Sequence, residues 1–393
     1  MSDAPTNRLY YTDAYCTTFA GAVVDRSADG TRIYLDETAF YPTSGGQPFD
    51  LGTLGGVAFA DVVDEGERIA HVLAAPLGAD VARVEGVVDW TRRFDHMQQH
   101  TGQHLLSAVF EDLFGYATLS VHFGPDYATL DLDAPSISRE QLVKAEERAN
   151  EIVAEARPVA VTFEDAAAAT GLRKASDRSG TLRIVSIDRV DRSACGGTHV
   201  RSTAEIGTVL VRSSEKMKKT TRVEFVCGQR AVRRARKDYE SLSAIAGSLS
   251  ASLDDAVGLV AGQSDRLKEA DNARKKLEKE LATFRARERY DATAADASGV
   301  RTIVIRDAAT MDDIRTLAQA AFGLSKVVVI GALTNPPSVL MASSEDSGID
   351  AGALIKPQLA VVGGRGGGSP RIAQGSVPNA EAVEAVVSSL LNR

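Results

Sequence analysis

The spacing of apolar residues changes character along the chain, and that change constrains the fold more than any single motif. From Tyr10 to about Asp89 the apolar segments are short and alternate with polar residues: 19–24, 33–35 and 57–63, punctuated by Asp29-Gly30 and a glycine-rich stretch. Period-two alternation broken by Gly and Asp predicts an antiparallel sheet or small barrel. Beyond Trp90 the period becomes helical, with Met97, His100, Leu105, Ala108, Val109 and Leu113 on one face and Gly115 as a stop. A second helix is predicted over 138–156, capped by Ser138 and ended before Pro158, with strands returning at 182–187 and 208–211.

Residues 230–290 have no proline, few glycines and many Ala, Leu, Glu, Lys and Arg, which predicts a long helix or helical hairpin. Leu253, Ala256, Val260, Leu267, Ala270, Leu277, Leu281 and Phe284 form a heptad-like seam, interrupted by Gln263 and Arg274. Two readings of this seam stand: a helix packed on its own chain, or a homodimer through 242–288. After Gly299 come strands at 302–305 and 327–330, capped helices at 310–322 and 379–391, and an apolar strand at 359–362 leading into a loop at 363–368. The expected fold class is multidomain α+β: a β-barrel-like domain (1–92), an α+β domain (93–228), a helical connector (229–297) and a small α/β domain (298–393). A length of 393 residues agrees, because one core rarely organises so many.

The chain carries 45 Lys and Arg against 53 Asp and Glu, a formal net charge of −8, which excludes a uniformly basic nucleic-acid coat. Charge is uneven, however: residues 212–240 hold ten basic side chains and four acidic ones, a local +6. Runs of this kind are usually solvated helix faces; here the block follows directly on a Cys-His motif. The longest apolar runs are too short to span a bilayer and no signal peptide is expected, so no membrane partner is foreseen. Three cysteines fit a reducing, cytoplasmic location rather than a disulfide framework.

The residues with most chemical content are His96-Met-Gln-Gln-His100-Thr-Gly-Gln-His104 and Cys195-Gly-Gly-Thr-His199. Four-residue spacing stacks imidazoles on one helical face, where two can share a metal ion, and spacing alone allows either pair. A thiolate and an imidazole flanking two glycines suit a tight metal-binding turn, and Cys with His favours zinc over magnesium or calcium. No carboxylate lies between His100 and His104, unlike the metalloprotease His-Glu-x-x-His helix.

His100-Thr-Gly-Gln-His104-Leu-Leu, followed about ninety residues later by Cys195-Gly-Gly-Thr-His199, resembles the editing domain of alanyl-tRNA synthetases and of their free-standing relatives, the alanyl-tRNA editing proteins. Upstream, the stretch from Phe40 to Pro48 with Gly45-Gly46-Gln47 resembles the loop of the β-rich domain preceding that module. Downstream, 363–368 resembles the glycine-rich RNA-contacting loop of the long family members. The resemblance covers essentially the whole chain. It implies one zinc ion per chain on His100, His104, Cys195 and His199, and hydrolysis of tRNA(Ala) mischarged with serine or glycine. It leaves His96 as a packing or hydrogen-bonding residue. Only ten residues precede the β-rich segment, so a free-standing editor is expected rather than a synthetase.

Physical reasoning supports such an activity. Serine adds one hydroxyl to alanine, which an apolar activation pocket rejects weakly, so a second hydrolytic site is needed. That site must hydrogen-bond the hydroxyl: Thr118, Ser120 and Gln103 are the candidates, with Gln47 facing the same pocket. Lys216, Lys218, Lys219 and Arg222 are the candidate tRNA contacts, joined by Gly364, Arg365, Gly366, Gly367 and Gly368 as a backbone cradle for phosphate. Two alternatives remain: a threonyl-tRNA-type editing hydrolase on the same scaffold, and a non-catalytic tRNA-binding protein with a structural zinc.

Overall fold

The computed structural model describes residues 5–175 and 179–392, arranged as two compact units, residues 1–244 and 245–393. The first unit opens with β1 (Asn7–Arg8), β2 (Thr18–Arg26), β3 (Arg32–Leu35), β4 (Glu37–Thr38), β5 (Gly52–Leu54), β6 (Val57–Asp64), β7 (Ile69–Leu73) and β8 (Arg83–Val88). Six of these close into a barrel in the order β2-β3-β7-β6-β5-β8, while β1 pairs with β4 alongside. The alternation read from the sequence is the cause: β8 buries Val84, Gly86 and Val88 and exposes the residues between. Phe19, Phe40 and Phe59 fill the interior, with the Phe40 and Phe59 rings 4.3 Å apart. Fully buried His71 sits among them, its Nε2 2.8 Å from Thr38 Oγ1 and its Nδ1 3.0 Å from the Ile33 carbonyl. Burial lowers its pKa to about 4.

Helix α1 (Trp90–Phe114) follows, capped by the Asp89 side chain and ended by left-handed Gly115. Its middle is enclosed almost all round although it carries Gln98, Gln99, His100, Thr101, Gln103, His104 and Ser107, so each polar group needs a partner. Gln99 bonds the Cys227 backbone in both directions, accepting from N–H (2.8 Å) and donating to the carbonyl (3.0 Å), and also donates to the Asp95 carbonyl at 3.3 Å. Arg93 ties the helix to the barrel through a wholly buried ion pair with Asp50, Nε donating at 2.9 Å.

Next come β9 (Thr118–Phe123), β10 (Ala128–Leu132), α2 (Arg139–Ala154), β11 (Val159–Asp165), β12 (Thr181–Ile187), β13 (Asp191–Ala194), β14 (Val209–Lys216) and β15 (Thr221–Cys227). They form a four-stranded sheet, β14-β15-β10-β9, and a three-stranded sheet, β11-β12-β13. The Ser138 capping box starts α2 as expected, with Gln141 as its partner. The alanine- and arginine-rich stretch then forms two successive helices, α3 (Gly228–Ser248) and α4 (Leu253–Ala292), with a break at 249–252 where Ser250 adopts positive φ. Among the described residues no single helix is long and apolar enough to cross a membrane.

The second unit is completed by β16 (Arg301–Ile305), α5 (Met311–Ala321), β17 (Val327–Thr334), β18 (Pro337–Ser343), α6 (Ala351–Val361), β19 (Arg365–Gly368), β20 (Ile372–Ser376) and α7 (Ala380–Leu391). Its sheet runs β16-β17-β18-β20-β19, parallel only between β16 and β17. Two expectations are corrected here. Residues 359–362 are not a strand: they are the end of α6, which buries Ala351, Ile355 and Leu359 on one face and contains Pro357. The stretch 363–368 is not a loop either, because residues 365–368 form the edge strand β19 paired with β20. A short apolar run next to glycines is ambiguous by periodicity, and Pro357 hid the helix.

Candidate metal centre

Helix α1 brings His100 and His104 to one face, and the turn after β13 carries Cys195 and His199 to it. One ligand atom from each lies within 4.8 Å of all the others, and the four form a cluster that could hold a metal ion. Cys195 Sγ is 3.4 Å from His100 Nε2 and 3.4 Å from His199 Nε2. Ligands at ordinary zinc distances, arranged tetrahedrally, stand about 3.3–3.6 Å apart, a spacing that the two sulfur–nitrogen separations already have.

Each imidazole is held by its other nitrogen. His100 Nδ1 is 2.9 Å from Gln47 Oε1, His104 Nδ1 is 2.7 Å from Asp191 Oδ2, and His199 Nδ1 is 3.1 Å from Thr101 Oγ1. All three therefore present Nε2 to the centre, the arrangement by which outer groups fix metal-binding histidines. Asp191 also receives Arg173 Nε at 2.7 Å. Burial opposes ionisation of the Cys195 thiol, but the charges of the His100 and His199 imidazoles, with hydrogen bonds from His100 and His104, outweigh it and hold the thiol well below its ordinary range. Burial also works against protonation of His104, and the Asp191 carboxylate overcomes it, raising the imidazole to about 9. Asp191, resisting burial through His104, falls to about 2.

The role of Gln47 differs from the expected one. Gly45 and Gly46 both take positive φ, and Ser44 and Gln47 exchange backbone bonds of 3.0 and 3.1 Å across them, a tight hairpin turn only glycines make without strain. The turn projects Gln47 inward: Oε1 meets His100 and the Thr198 N–H at 3.1 Å, and Nε2 donates to Thr198 Oγ1 at 2.8 Å. At 1% exposure, Gln47 joins the barrel to both halves of the cluster. Gly197 is equally determined, since a Cβ there would fall inside the His100 imidazole.

The serine-sensing candidates separate. Gln103 Nε2 donates to Ser107 Oγ at 2.9 Å and Thr118 Oγ1 donates to the same oxygen at 2.8 Å, a linked chain beside the His104 turn. Ser120 is not brought there. In the regular register Ser120 lies opposite Asp131, to which it donates at 2.5 Å, while Val121 and Phe123 face the core; the register shift beyond that pair brings Thr118 opposite Leu132 and so parts Thr118 from Ser120. Phe123 lies against the centre, its ring 5.1 Å from that of His100.

Of the tRNA-contact candidates, Lys216, Lys218 and Lys219 are exposed at the tip of the β14–β15 hairpin. Arg222 is committed to Asp131 by bonds of 2.6 and 2.8 Å, and holds that carboxyl at about 2. Asp131 and Asp95, both outside 212–240, pair with Arg222 and Arg230 and cancel part of the local positive charge. In the second unit, Gly364 precedes β19, while Arg365, Gly366, Gly367 and Gly368 form it, so part of the expected amide cradle is used in the ladder with β20.

Sequence reasoning missed Asp191, Thr101 and the Arg93–Asp50 pair. For Asp191 a signal existed: strand alternation puts positions 191, 193 and 195 on one face, the face of the thiol.

Comparison with known proteins agrees with this geometry. Residues 182–224 match the model described as threonyl and alanyl tRNA synthetase second additional domain, and residues 298–393 match the DHHA1 domain. The alanyl-tRNA editing protein AlaX-L of Pyrococcus horikoshii is 31% identical over 94% of this chain and 94% of its own length. The mouse alanyl-tRNA editing protein Aarsd1 is 33% identical over 64% of this chain, and that match spans 60% of the mouse protein. An alanine–tRNA ligase of Pyrococcus abyssi is 30% identical over 99% of this chain and 44% of the ligase. With near-complete coverage in both directions and both expected domains present, the chain belongs to the family of alanyl-tRNA editing proteins.

Proposed function

We propose that this protein deacylates tRNA(Ala) mischarged with serine, and with glycine, acting in trans at one zinc ion per chain. The observation that carries the reading is the convergence of three imidazole Nε2 atoms and a low-pKa thiol, with every Nδ1 tied to a fixed partner. Zinc bound there would polarise the ester carbonyl or lower the pKa of an attacking water. The protein's own groups do the rest. Gln47 locks the barrel turn onto His100 and Thr198, Asp191 orients His104, and Thr101 orients His199. Asp191 is committed to His104 and Arg173, so proton removal falls to water or to a hydroxyl of the substrate. The linked Gln103, Ser107 and Thr118 groups supply donors and acceptors for a serine hydroxyl, which an alanyl group cannot use.

Exposed Lys216, Lys218 and Lys219 serve as tRNA-phosphate contacts, supplemented by Arg365 on β19. Leu267 and Phe284, 72% and 75% exposed on α4, support self-association through 242–288, which light scattering would detect as twice the monomer mass. A cytoplasmic location fits a tRNA substrate. The decisive assay is deacylation of Ser-, Gly- and Ala-tRNA(Ala), with Ser-tRNA(Thr) alongside, with and without a chelator. Full activity on Ser-tRNA(Ala) in a protein carrying both Cys195→Ala and His104→Ala would refute the reading.

A further inference from the structure

Beside the metal centre lies a cavity of about 650 Å³, within the ordinary range for a small-ligand site. Its walls come from four places in the first unit: Pro48 after the Gln47 turn, the first turns of α1 with Trp90, Phe94 and His96, Phe123 at the end of β9, and Arg233 on α3. Phe123 is the partition, lining the cavity while its ring packs against His100. His96 and His100 are one helical turn apart, about 6 Å along the axis.

His96 is the singular residue here. It is 6% exposed, makes no hydrogen bond among the described residues, and its buried Nδ1 has no partner. Among the described residues four buried side-chain polar atoms lack a partner, on Tyr10, Arg68, His96 and Ser243, and of these only His96 lines this cavity; an unpartnered imidazole in a cavity wall marks a place for a ligand. The other walls specify which kind. The Trp90 and Phe94 rings lie 5.2 Å apart at 33°, and the exposed Arg233 has no ion-pair partner among the described residues. Of the rim carboxylates, Asp95 is neutralised by Arg230 at 2.6 Å and Asp89 caps α1. Aromatic faces, a free guanidinium and one neutral donor–acceptor are the elements that recognise an unpaired nucleotide by stacking, phosphate contact and a base-edge hydrogen bond.

We propose that this cavity is a nucleotide subsite: it takes an unpaired base of the acceptor end of the tRNA, with His96 hydrogen-bonding the base edge and Arg233 the adjoining phosphate. The assignment rests on the tRNA-editing reading above, but its test is independent of catalysis. Trp90 is the only tryptophan in the chain, so its emission reports occupancy directly. The zinc-loaded full chain is titrated with a CCA trinucleotide, with an abasic trinucleotide and with adenosine monophosphate. Saturable change of Trp90 emission by CCA, much weaker with the abasic strand, is expected; response to the monophosphate as well would place a single nucleotide in the cavity. His96→Leu should weaken CCA binding about tenfold, the value of one hydrogen bond to a buried group, and raise KM for Ser-tRNA(Ala) with kcat retained. Arg233→Ala, on an exposed helix face, provides a variant whose folding is not at issue and should weaken CCA and abasic strand alike.

An unchanged emission with CCA in a protein that deacylates Ser-tRNA(Ala) normally would overturn the subsite and leave the editing function standing. Equal binding of the CCA and abasic strands would overturn the base-recognition role of His96. Base-dependent binding in a protein without deacylase activity would uphold the subsite and refute the function.

Discussion

The barrel interior and the metal centre both bury histidine, and they differ in how the two ring nitrogens are used. His71 has a partner at each nitrogen, Thr38 and the Ile33 carbonyl, so nothing is left over. His100, His104 and His199 have Nδ1 engaged and Nε2 aimed at one another and at Cys195. Three buried imidazoles placed so would repel if charged and gain little if neutral, unless a cation sits between them. Accounting for both nitrogens thus separates a histidine that holds the fold together from one that holds a ligand. His96, with neither nitrogen engaged, is a third case.

The comparison breaks most decisively at the thiol. Cys195→Ala removes one of four donors, and bound zinc, counted by elemental analysis of the purified protein, should fall from about one per chain to near zero, with deacylation lost alongside. Retention of zinc would mean that Cys195 is not a required donor, and retention after His104→Ala as well would mean that the zinc sits elsewhere than at the Nε2 convergence. His71→Gln should leave zinc content untouched and change only the response to acid. Its folded pKa is about 4 against 6.5 unfolded, so between those values the unfolded chain takes a proton that the folded barrel refuses. Stability from neutral His71 is therefore complete above pH 6.5 and is lost as the pH falls towards 4, by about 3 kcal/mol at the lower end. Urea midpoints measured across that window should decline less steeply in His71→Gln than in the wild type, and parallel slopes would remove His71 from the account.

How far the sequence revealed these two regions follows from the range of the interactions. The barrel was readable because strand alternation is local, as in β8, and α1 because Gly115 and the apolar period mark it. The two candidate motifs were readable because their four-residue spacings are local too, but spacing left His96, His100 and His104 equivalent, and only the family resemblance implied His100 and His104. Of the histidines' supports only Gln47 was legible, and as a pocket residue rather than as the partner of His100; Gln47, Asp191 and Thr101 reach their histidines across 53, 87 and 98 positions, distances that no periodicity reports. Thr118 and Ser120 read as one face of a strand for a different reason: the bulge between them turns Thr118 to the side of Leu132 and leaves no mark in composition. The glycines of β19 suggested a loop by composition alone, although the backbone of 365–368 is paired.

The supports give the next, smaller test. Gln47→Leu keeps the bulk at the turn and removes the acceptor for His100 Nδ1, so metal affinity should fall about 10- to 100-fold while the chain still folds. Competition with a chromophoric chelator would measure it, and an unchanged affinity would show that His100 needs no orienting group.

The smallest effect is expected where nothing is buried at all. Lys216, Lys218 and Lys219 extend from a hairpin tip into solvent, so replacing them with alanine should leave zinc content, kcat and thermal stability as they are. What should change is the salt dependence of KM for mischarged tRNA, because each lysine that neutralises a phosphate releases counterions on binding, at slightly under one power of salt concentration per contact. Removal of all three should raise KM several-fold at low salt and lower the salt slope by about 2.7. Arg222 provides the internal contrast. It is already held by Asp131, so Arg222→Ala should disturb the sheet and reduce stability, with little effect on the salt slope. If the triple lysine variant kept the wild-type slope and Arg222→Ala lowered it, the phosphate contact would lie on the paired arginine, and the separation between buried, partnered groups and exposed, free ones would fail at the surface where it is simplest.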